Sequence, residues 1–481
     1  MSRSLKSPPP IIFIFLAVIA WLGIKNYPHL TKNVQSTSEI IKPRDNHADN
    51  KSTIPAQLNN SAESQDSLSY RISWGEQLFI DTASPLKEQG IKALQQQNTQ
   101  QAITLWQKSL AQFPNDPETV IYLNNALIGN SQSYSIVVSA PIGVDVDTAQ
   151  EILRGVAQAQ QEVNAAGGVN GIPLRVVIAN DDNDPKIAQK LAQSLAKNLD
   201  ILGVVGHFSS DVTLAAATEY EQAGLVAISP TSTSVSISGA GKYIFRTVPS
   251  DRFAGNTLAK HLLEKLNKQN AAVFYASESN YSNSLKDTFS TDLVSNGGQV
   301  VAEFDLTDSS FSPDNAFTQA KERGAEALIL LATSSTLDSA LSIAEVNNRQ
   351  LPLLAGDDVY TAKTLKTMGE KATEMVVAIP WHIRGNVNPD FPQKASNLWQ
   401  AEVNWRTALA YDATQVLIAG LQTNPSRQGI QETLAQSQFS IIGASGEISF
   451  LPSGDRNQKP QLVQVQPGNS SGFGYDFVPI D

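Results

Sequence analysis

From Ser133 onward, short apolar runs alternate with amphipathic segments, and this alternation restricts the fold more than any other feature of the chain. A first series reads SIVVSA, a helical pattern over 148–164, PLRVVIA, a second over 185–198, ILGVV, a third over 211–223, and then LVAIS. The same order resumes with AAVFYA, QVVAEFDL, ALILLA, LPLLAG and MVVAIP, with helices expected near 283–295, 314–323 and 336–347. Continuous apolar runs of this length suit strands buried on both faces. Alternating βα units therefore predict an α/β fold with parallel sheets covered by helices, and two series predict two lobes.

The segments before Ser133 obey other rules. Arg3 and Lys6 precede a triple proline and the apolar run IIFIFLAVIAWLGI at 11–24, shorter than the roughly 20 residues of a comfortable spanning helix. Val18-Ile19-Ala20 is a poor match to an A-x-A cleavage site, so residues 1–30 are expected to form an uncleaved signal anchor or transmembrane segment. Positive charge ahead of the run orients the rest of the chain outward, which predicts a periplasmic or extracytoplasmic protein held at the inner (plasma) membrane. Residues 31–70 are rich in Ser, Asn, Lys, Asp and Gln without periodic apolar positions, the composition of a disordered tether. Residues 71–130 turn helical, through Leu86, Gly90, Ala93, Leu94, Ala102, Ile103, Trp106 and Leu110, with Pro114 closing the pattern and a further helix at 118–127. Gly90, Ala102, Trp106 and Pro114 fall where a 34-residue tetratricopeptide repeat places its small residues, aromatic and proline, so the segment resembles one and a half such repeats. An ordinary helical hairpin fits equally well. Either way, so short a unit must lean on a neighbour, a partner or another copy of itself.

Composition removes several function classes. The 481 residues exceed what one core supports, since single cores stop growing at roughly 250–300 residues. A net charge of -11 argues against a nucleic-acid partner, which needs clustered Lys and Arg. The absence of cysteine excludes disulfides, thiolate metal sites and cysteine nucleophiles, and the five histidines, at 29, 47, 207, 261 and 382, show no paired-ligand spacing. SGAGK at 238–242 lacks the phosphate-loop spacing and no GxSxG element is present. The acidic string at 180–184 lacks the Gly and final Glu of a calcium loop, and Asp184-Pro185 reads as N-cap and first residue of a helix; Asp145 and Asp147 have the same capping role. No metal and no cofactor are expected.

In open α/β sheets ligands bind beyond the carboxyl ends of the strands, where loops and helix N-termini present free N–H groups. The residues there are Gly206-His207-Phe208-Ser209-Ser210, Pro230 to Ser234, Ser277 to Tyr281, Thr333-Ser334-Ser335, Gly356-Asp357-Asp358 and Pro380-Trp381. Small hydroxyl residues dominate, with two carboxylates and a few aromatics. Hydroxyls at a helix N-terminus suit a carboxylate, and an acidic residue across a cleft suits an ammonium. Together they describe a receptor for a zwitterion. Taken singly, Ser209 and Ser210 read as helix caps, the 229–234 hydroxyls as a loop, and Tyr281, Trp381 and Asp358 as rim or surface residues.

EVNAAGGVNGIPLRVVIANDDNDP, VVGHFSS, LVAISPTSTS and YIFRTVPSD, in that order, resemble the successive signatures of type I periplasmic binding proteins, specifically the branched-chain or neutral amino-acid receptors of ABC importers. The resemblance runs through most of 134–466. It implies two Rossmann-like lobes joined by three crossovers, with lobe 1 at about 134–250 and 382–446 and lobe 2 at about 251–381 and 447–476, inside a binding domain over 131–481. It also implies that Ser210 binds the ligand carboxylate, that Thr231 offers its carbonyl to the ammonium, and that Thr233 serves both groups. Tyr281 corresponds to a cleft-lining aromatic, Asp358 to the acidic partner of the ammonium, and Trp381 to a side-chain pocket near a crossover; Asp357 is left open as the alternative acid. Ser232 and Ser234 are read as spacing or solvent-facing residues. Thr333-Ser334-Ser335 departs from the aromatic often found there in branched-chain receptors, and Asp is shorter than the Glu of some relatives. The expected function is capture of a small amino acid for ABC permease subunits in the membrane. The rival is an envelope regulator or scaffold whose residues 71–130 grip a protein partner and whose binding fold acts as sensor.

Overall fold

The computed structural model describes residues 68–81, 83–385 and 388–480; the expected anchor and nearly all of the tether lie outside them. Among the described residues no helix is long and apolar enough to cross a membrane.

Three helices come first: α1 (Pro85–Gln95), α2 (Thr99–Gln112) and α3 (Pro117–Ile128). Their starts follow capping chemistry, with Asn98 accepting from the N–H of Gln101 and Asp116, ahead of Pro117, accepting from that of Thr119. Gly90 lies against Trp106 so closely that a Cβ would fall 2.3 Å from the indole nitrogen. That nitrogen donates to the carbonyl of Lys87 at 3.1 Å. The Lys87 ammonium is itself buried and bridges Asp116 at 3.1 Å and Glu118 at 2.7 Å.

The support this segment needs comes from the first lobe. The short strand β1 (Ile72–Ser73) pairs antiparallel with β3 (Leu174–Asn180), and the amide of Asn125 on α3 exchanges hydrogen bonds with the backbone of Val176 at 2.7 and 3.1 Å. The first sheet runs β1-β3-β2-β4-β5-β6, with β2 (Tyr134–Ala140), β4 (Ile201–Val205), β5 (Val226–Ser229) and β6 (Ile244–Arg246) parallel to β3. Helices α4 (Val146–Ala165), α5 (Pro185–Lys197) and α6 (Ser210–Ala223) connect these strands. Asp145 and Asp184 cap α4 and α5, as the sequence predicts.

After α7 (Asp251–Lys260) the chain builds a second sheet from β7 (Asn270–Tyr275), β8 (Gln299–Asp305), β9 (Ala327–Leu331), β10 (Leu353–Ala355) and β11 (Val376–Ile379), with α8 (Asn280–Ser295), α9 (Pro313–Glu322), α10 (Leu337–Asn347) and α11 (Ala362–Met368) between them. It then returns to the first lobe as α12 (Asp390–Trp399), α13 (Trp405–Thr423), α14 (Arg427–Leu434) and the hairpin β12 (Ile441–Gly443) and β13 (Gly446–Ile448). Helix α13 packs along α4 where Gly155 leaves no room for a side chain, a Cβ there lying 2.2 Å from the carbonyl of Thr407. The chain crosses a third time to add β14 (Gln461–Pro467) and β15 (Tyr475–Ile480), giving the order β15-β14-β11-β10-β9-β7-β8.

Two features depart from the sequence reading. The sheets are mixed, because β1 and β14 run against the strands they join and β15 pairs antiparallel with β14 at the edge. The second share of lobe 1 also extends past the expected 446, since Arg246 pairs with Asp455 at 2.6 Å and Arg456 with Asp412 at 3.5 Å, both on the first-lobe side.

Candidate functional site

The loop after β4 and the loop after β5 meet at the carboxyl edge of the first sheet. His207 anchors the former, its buried ring held between Asp181 at 2.6 Å and the Tyr220 hydroxyl at 3.0 Å. The hydroxyls of the second loop then fasten to it. Ser229 Oγ donates to the carbonyl of His207 at 2.8 Å, and Thr231 Oγ1 donates to that of Phe208 at 2.7 Å. Ser232 Oγ reaches Phe208 O at 3.2 Å and shares a 2.8 Å bond with Thr213 Oγ1. Ser210, the first residue of α6, accepts the N–H of Ser234 at 3.2 Å, and Ser209 makes no side-chain cap. Ser232 and Ser234 are 1% and 0% exposed, so of the two expected roles, spacing or facing solvent, the second is corrected. The loop lies between the strand ends and α6, where the hydroxyls of Ser229, Thr231, Ser232 and Ser234 meet backbone polar groups.

Thr233 is the exception in this run. Its carbonyl accepts from the Asp251 N–H at 2.9 Å, but its buried hydroxyl has no hydrogen-bond partner. Asp251 opens α7 just after the first crossing and is 1% exposed, with neither carboxylate oxygen hydrogen-bonded. Burial pushes its carboxyl up to about 6. The nearby Ser284 and Thr233 hydroxyls and the Arg246 guanidinium pull it back, and Asp358 pushes it further up; neither hydroxyl forms a well-shaped bond to it.

The second lobe supplies the facing side. Tyr281, in the first turn of α8, donates to Asp357 Oδ1 at 2.6 Å, and burial raises its phenol well above the ordinary value. Asp358 is 3.3 Å from Arg406 of α13, which at 3.3 Å also reaches Glu151 of α4. Burial raises both Asp357 and Asp358; Arg406 opposes this, while Asp251 adds repulsion at Asp357, and Asp357 at Asp358. Two further bonds join the lobes: the Asn280 N–H meets Asp211 at 3.2 Å, and the Val235 N–H donates to Ser284 Oγ at 2.9 Å.

Thr233, Tyr281, Asp358 and the alternative acid Asp357 thus gather between the lobes. Ser210 and Thr231 lie beside them, with their hydroxyls occupied in loop stitching. Trp381 is buried in the apolar core, edge-on to Phe391 of α12 at 5.9 Å. Sequence reasoning missed Asp251, Glu151 and Arg406. Asp251 ends the YIFRTVPSD stretch but sits at a lobe crossing rather than directly after a strand, and Arg406 begins a helix with no clear amphipathic period.

A sequence profile described as periplasmic binding protein matches residues 138–471, beginning after the three N-terminal helices. An amino acid binding protein of Pseudomonas aeruginosa is 30% identical over 185 residues, 38% of this chain and 49% of the relative. A Leu/Ile/Val-binding protein of Escherichia coli is 34% identical over 140 residues, 29% of this chain and 38% of the relative. The alignments therefore span less than half of either relative. Among solved structures, a branched-chain amino acid transporter substrate-binding protein of Streptococcus pneumoniae in complex with isoleucine superposes with a TM-score of 0.63 at 21% identity, covering 73% of this chain and all of that one. A solute-binding protein of an ABC transporter from Rhodopseudomonas palustris, in complex with 3,4-dihydroxybenzoic acid, gives 0.63 at 18%, covering 72% and 96%. The chain belongs to the periplasmic binding protein family.

Proposed function

From membership of the periplasmic binding protein family, we propose that the chain is an extracytoplasmic solute receptor that captures a small amino acid between its lobes and delivers it to the permease of an ABC importer. The observation that carries this reading is the buried interlobe set in which the unpartnered Thr233 hydroxyl faces Asp251, with Asp357 and Asp358 across from it. Hydroxyl and N–H donors suit a carboxylate, and carboxylates suit an ammonium. Relatives named for amino acids and relatives holding benzoates share the need for carboxylate donors. Three Asp side chains, Asp251 and Asp357 buried and Asp358 partly so, favour a ligand that also bears an ammonium. Closure follows when one ligand touches both lobes and so prefers the closed state. The apolar run at 11–24 is proposed as the membrane anchor.

Isothermal titration of the full chain against the common amino acids is expected to give at least one micromolar ligand. A folded protein that yields no heat with any of them would overturn the reading. Charge-assisted bonds of about 1.5–3 kcal/mol make a loss of at least about tenfold the expected effect of removing Asp358 or the Thr233 hydroxyl.

A second reading rests on the helices α1–α3, which are built onto lobe 1 through β1 and Asn125 and lie outside the family match. They could dock an envelope protein, with the lobes as sensor. Affinity capture with the full chain separates the two: permease subunits support transport, and a wall enzyme or signalling protein supports the scaffold.

A further inference from the structure

Asp251, Asp357 and Asp358 act on one another where the lobes meet, Glu151 is tied to them through Arg406, and every one of these acids except Asp251 has a partner. Arg406 serves Glu151 and Asp358. The Tyr281 hydroxyl serves Asp357. Asp251 alone has neither oxygen bonded, although it is 1% exposed and its neighbours Thr233 and Ser284 come from opposite lobes. The cation that acts on it from the first lobe, Arg246, is fully engaged: it binds Asp455 through Nε at 2.7 Å, the carbonyls of Ser232 and Ser234 at 3.2 and 2.8 Å, and Ser238 Oγ at 2.9 Å. It cannot turn to Asp251 without abandoning these.

An ionised carboxylate without a counter-charge is among the most costly groups to bury. A neutral zwitterion does not remedy this, because its ammonium and carboxylate cancel. Its ammonium can satisfy one acid, while its carboxylate adds a further negative charge to a site that already gathers Asp251, Asp357 and Asp358.

Resting on the reading that an amino acid binds between the lobes, we propose that Asp251 is the seat of a second cationic group, so that the preferred ligand is an amino acid with a basic side chain. The unpartnered Thr233 hydroxyl, next to it, completes that seat.

Titration of the full chain at neutral pH with L-lysine, L-ornithine and L-leucine tests this. Lysine or ornithine is expected to bind at least about tenfold more tightly than leucine, the difference of about one charge-assisted bond. Asp251→Asn is expected to erase most of that preference. Leucine binding as tightly as lysine in the wild type overturns the proposal while leaving the amino-acid reading intact, and so does an unchanged lysine-to-leucine ratio in D251N. If neither lysine nor ornithine binds the folded protein, the proposal falls, and the amino-acid reading falls with it only when the full set of common amino acids also gives no heat. Should D251N fail to fold, the wild-type ratio alone decides.

Discussion

The two sides of the interlobe site handle their polar groups in opposite ways. On the first-lobe side, the hydroxyls of Ser229, Thr231 and Ser232 each donate to a backbone carbonyl of the facing loop, so the wall is neutral and knitted together. Toward the second lobe the polar groups are ionisable, buried and only partly compensated, through Tyr281–Asp357 and Asp358–Arg406, with Asp251 left over at the crossing. A satisfied hydroxyl network mainly fixes shape. A set of buried acids short of counter-charge stores unfavourable electrostatics that a ligand can relieve, and this is where binding energy is to be gained. The contrast separates residues that hold the site from residues that wait for something.

Arg406 is where breaking the contrast should cost most. Its guanidinium joins Glu151 of one lobe to Asp358 of the other, and its side chain is 3% exposed. Arg406→Ala removes two charge-assisted bonds and leaves Glu151 and Asp358, both partly buried, without that cation, so unfolding by urea should show a loss of about 3–5 kcal/mol. A loss under 1 kcal/mol would mean that the acids carry protons rather than relying on the guanidinium.

Asp251 should behave with the opposite sign. Its carboxyl ionises near 3.8 in the unfolded chain and is pushed up to about 6 by burial. The folded state therefore binds more protons between those values, and the stability it contributes is present below about 4 and lost as pH rises through about 6. Above pH 6 the ionised side chain costs the unliganded protein about 3 kcal/mol. Asp251→Asn should then raise the melting temperature at pH 7.5, with the gain fading toward pH 4. A gain that grows as the pH falls would contradict the assigned cause.

The fold was legible because its strands are unbroken apolar runs; β2, β4, β5, β7 and β9 lie where the sequence puts them. Helices α12 to α14 were not read. In α13, buried residues lie around nearly the whole circumference, from Trp405 through Leu409 and Ala413 to Leu421, so no polar stripe marks its period. Within the site, strand-end loops pointed to Tyr281 and Asp358 because local position suffices to find them. Asp251 could not be singled out the same way. Its significance lies in having no partner, and that depends on Arg406 being spent on Asp358 and Arg246 on Asp455, pairings between residues far apart in sequence. The inward turn of Ser232 and Ser234 was hidden for a related reason: the loop is enclosed by α6, which follows an earlier strand.

Ser232 and Thr233 give the finest version of the contrast, being adjacent, hydroxyl-bearing and both buried. Ser232 Oγ donates to Phe208 O and pairs with Thr213 Oγ1, so Ser232→Ala strands buried partners and should cost about 1 kcal/mol or slightly more in a urea titration. Thr233 Oγ1 makes no well-shaped bond and only lies near the Asp251 carboxylate, so the isosteric Thr233→Val strands no bonded partner and should cost less stability than Ser232→Ala. For ligand affinity the order should invert, with the larger loss, about tenfold, at Thr233 and a smaller one at Ser232. If Thr233→Val instead destabilises the unliganded protein more than Ser232→Ala, the hydroxyl at 233 belongs to the knitted wall, and the division between holding and waiting residues has to be redrawn one position further along the loop.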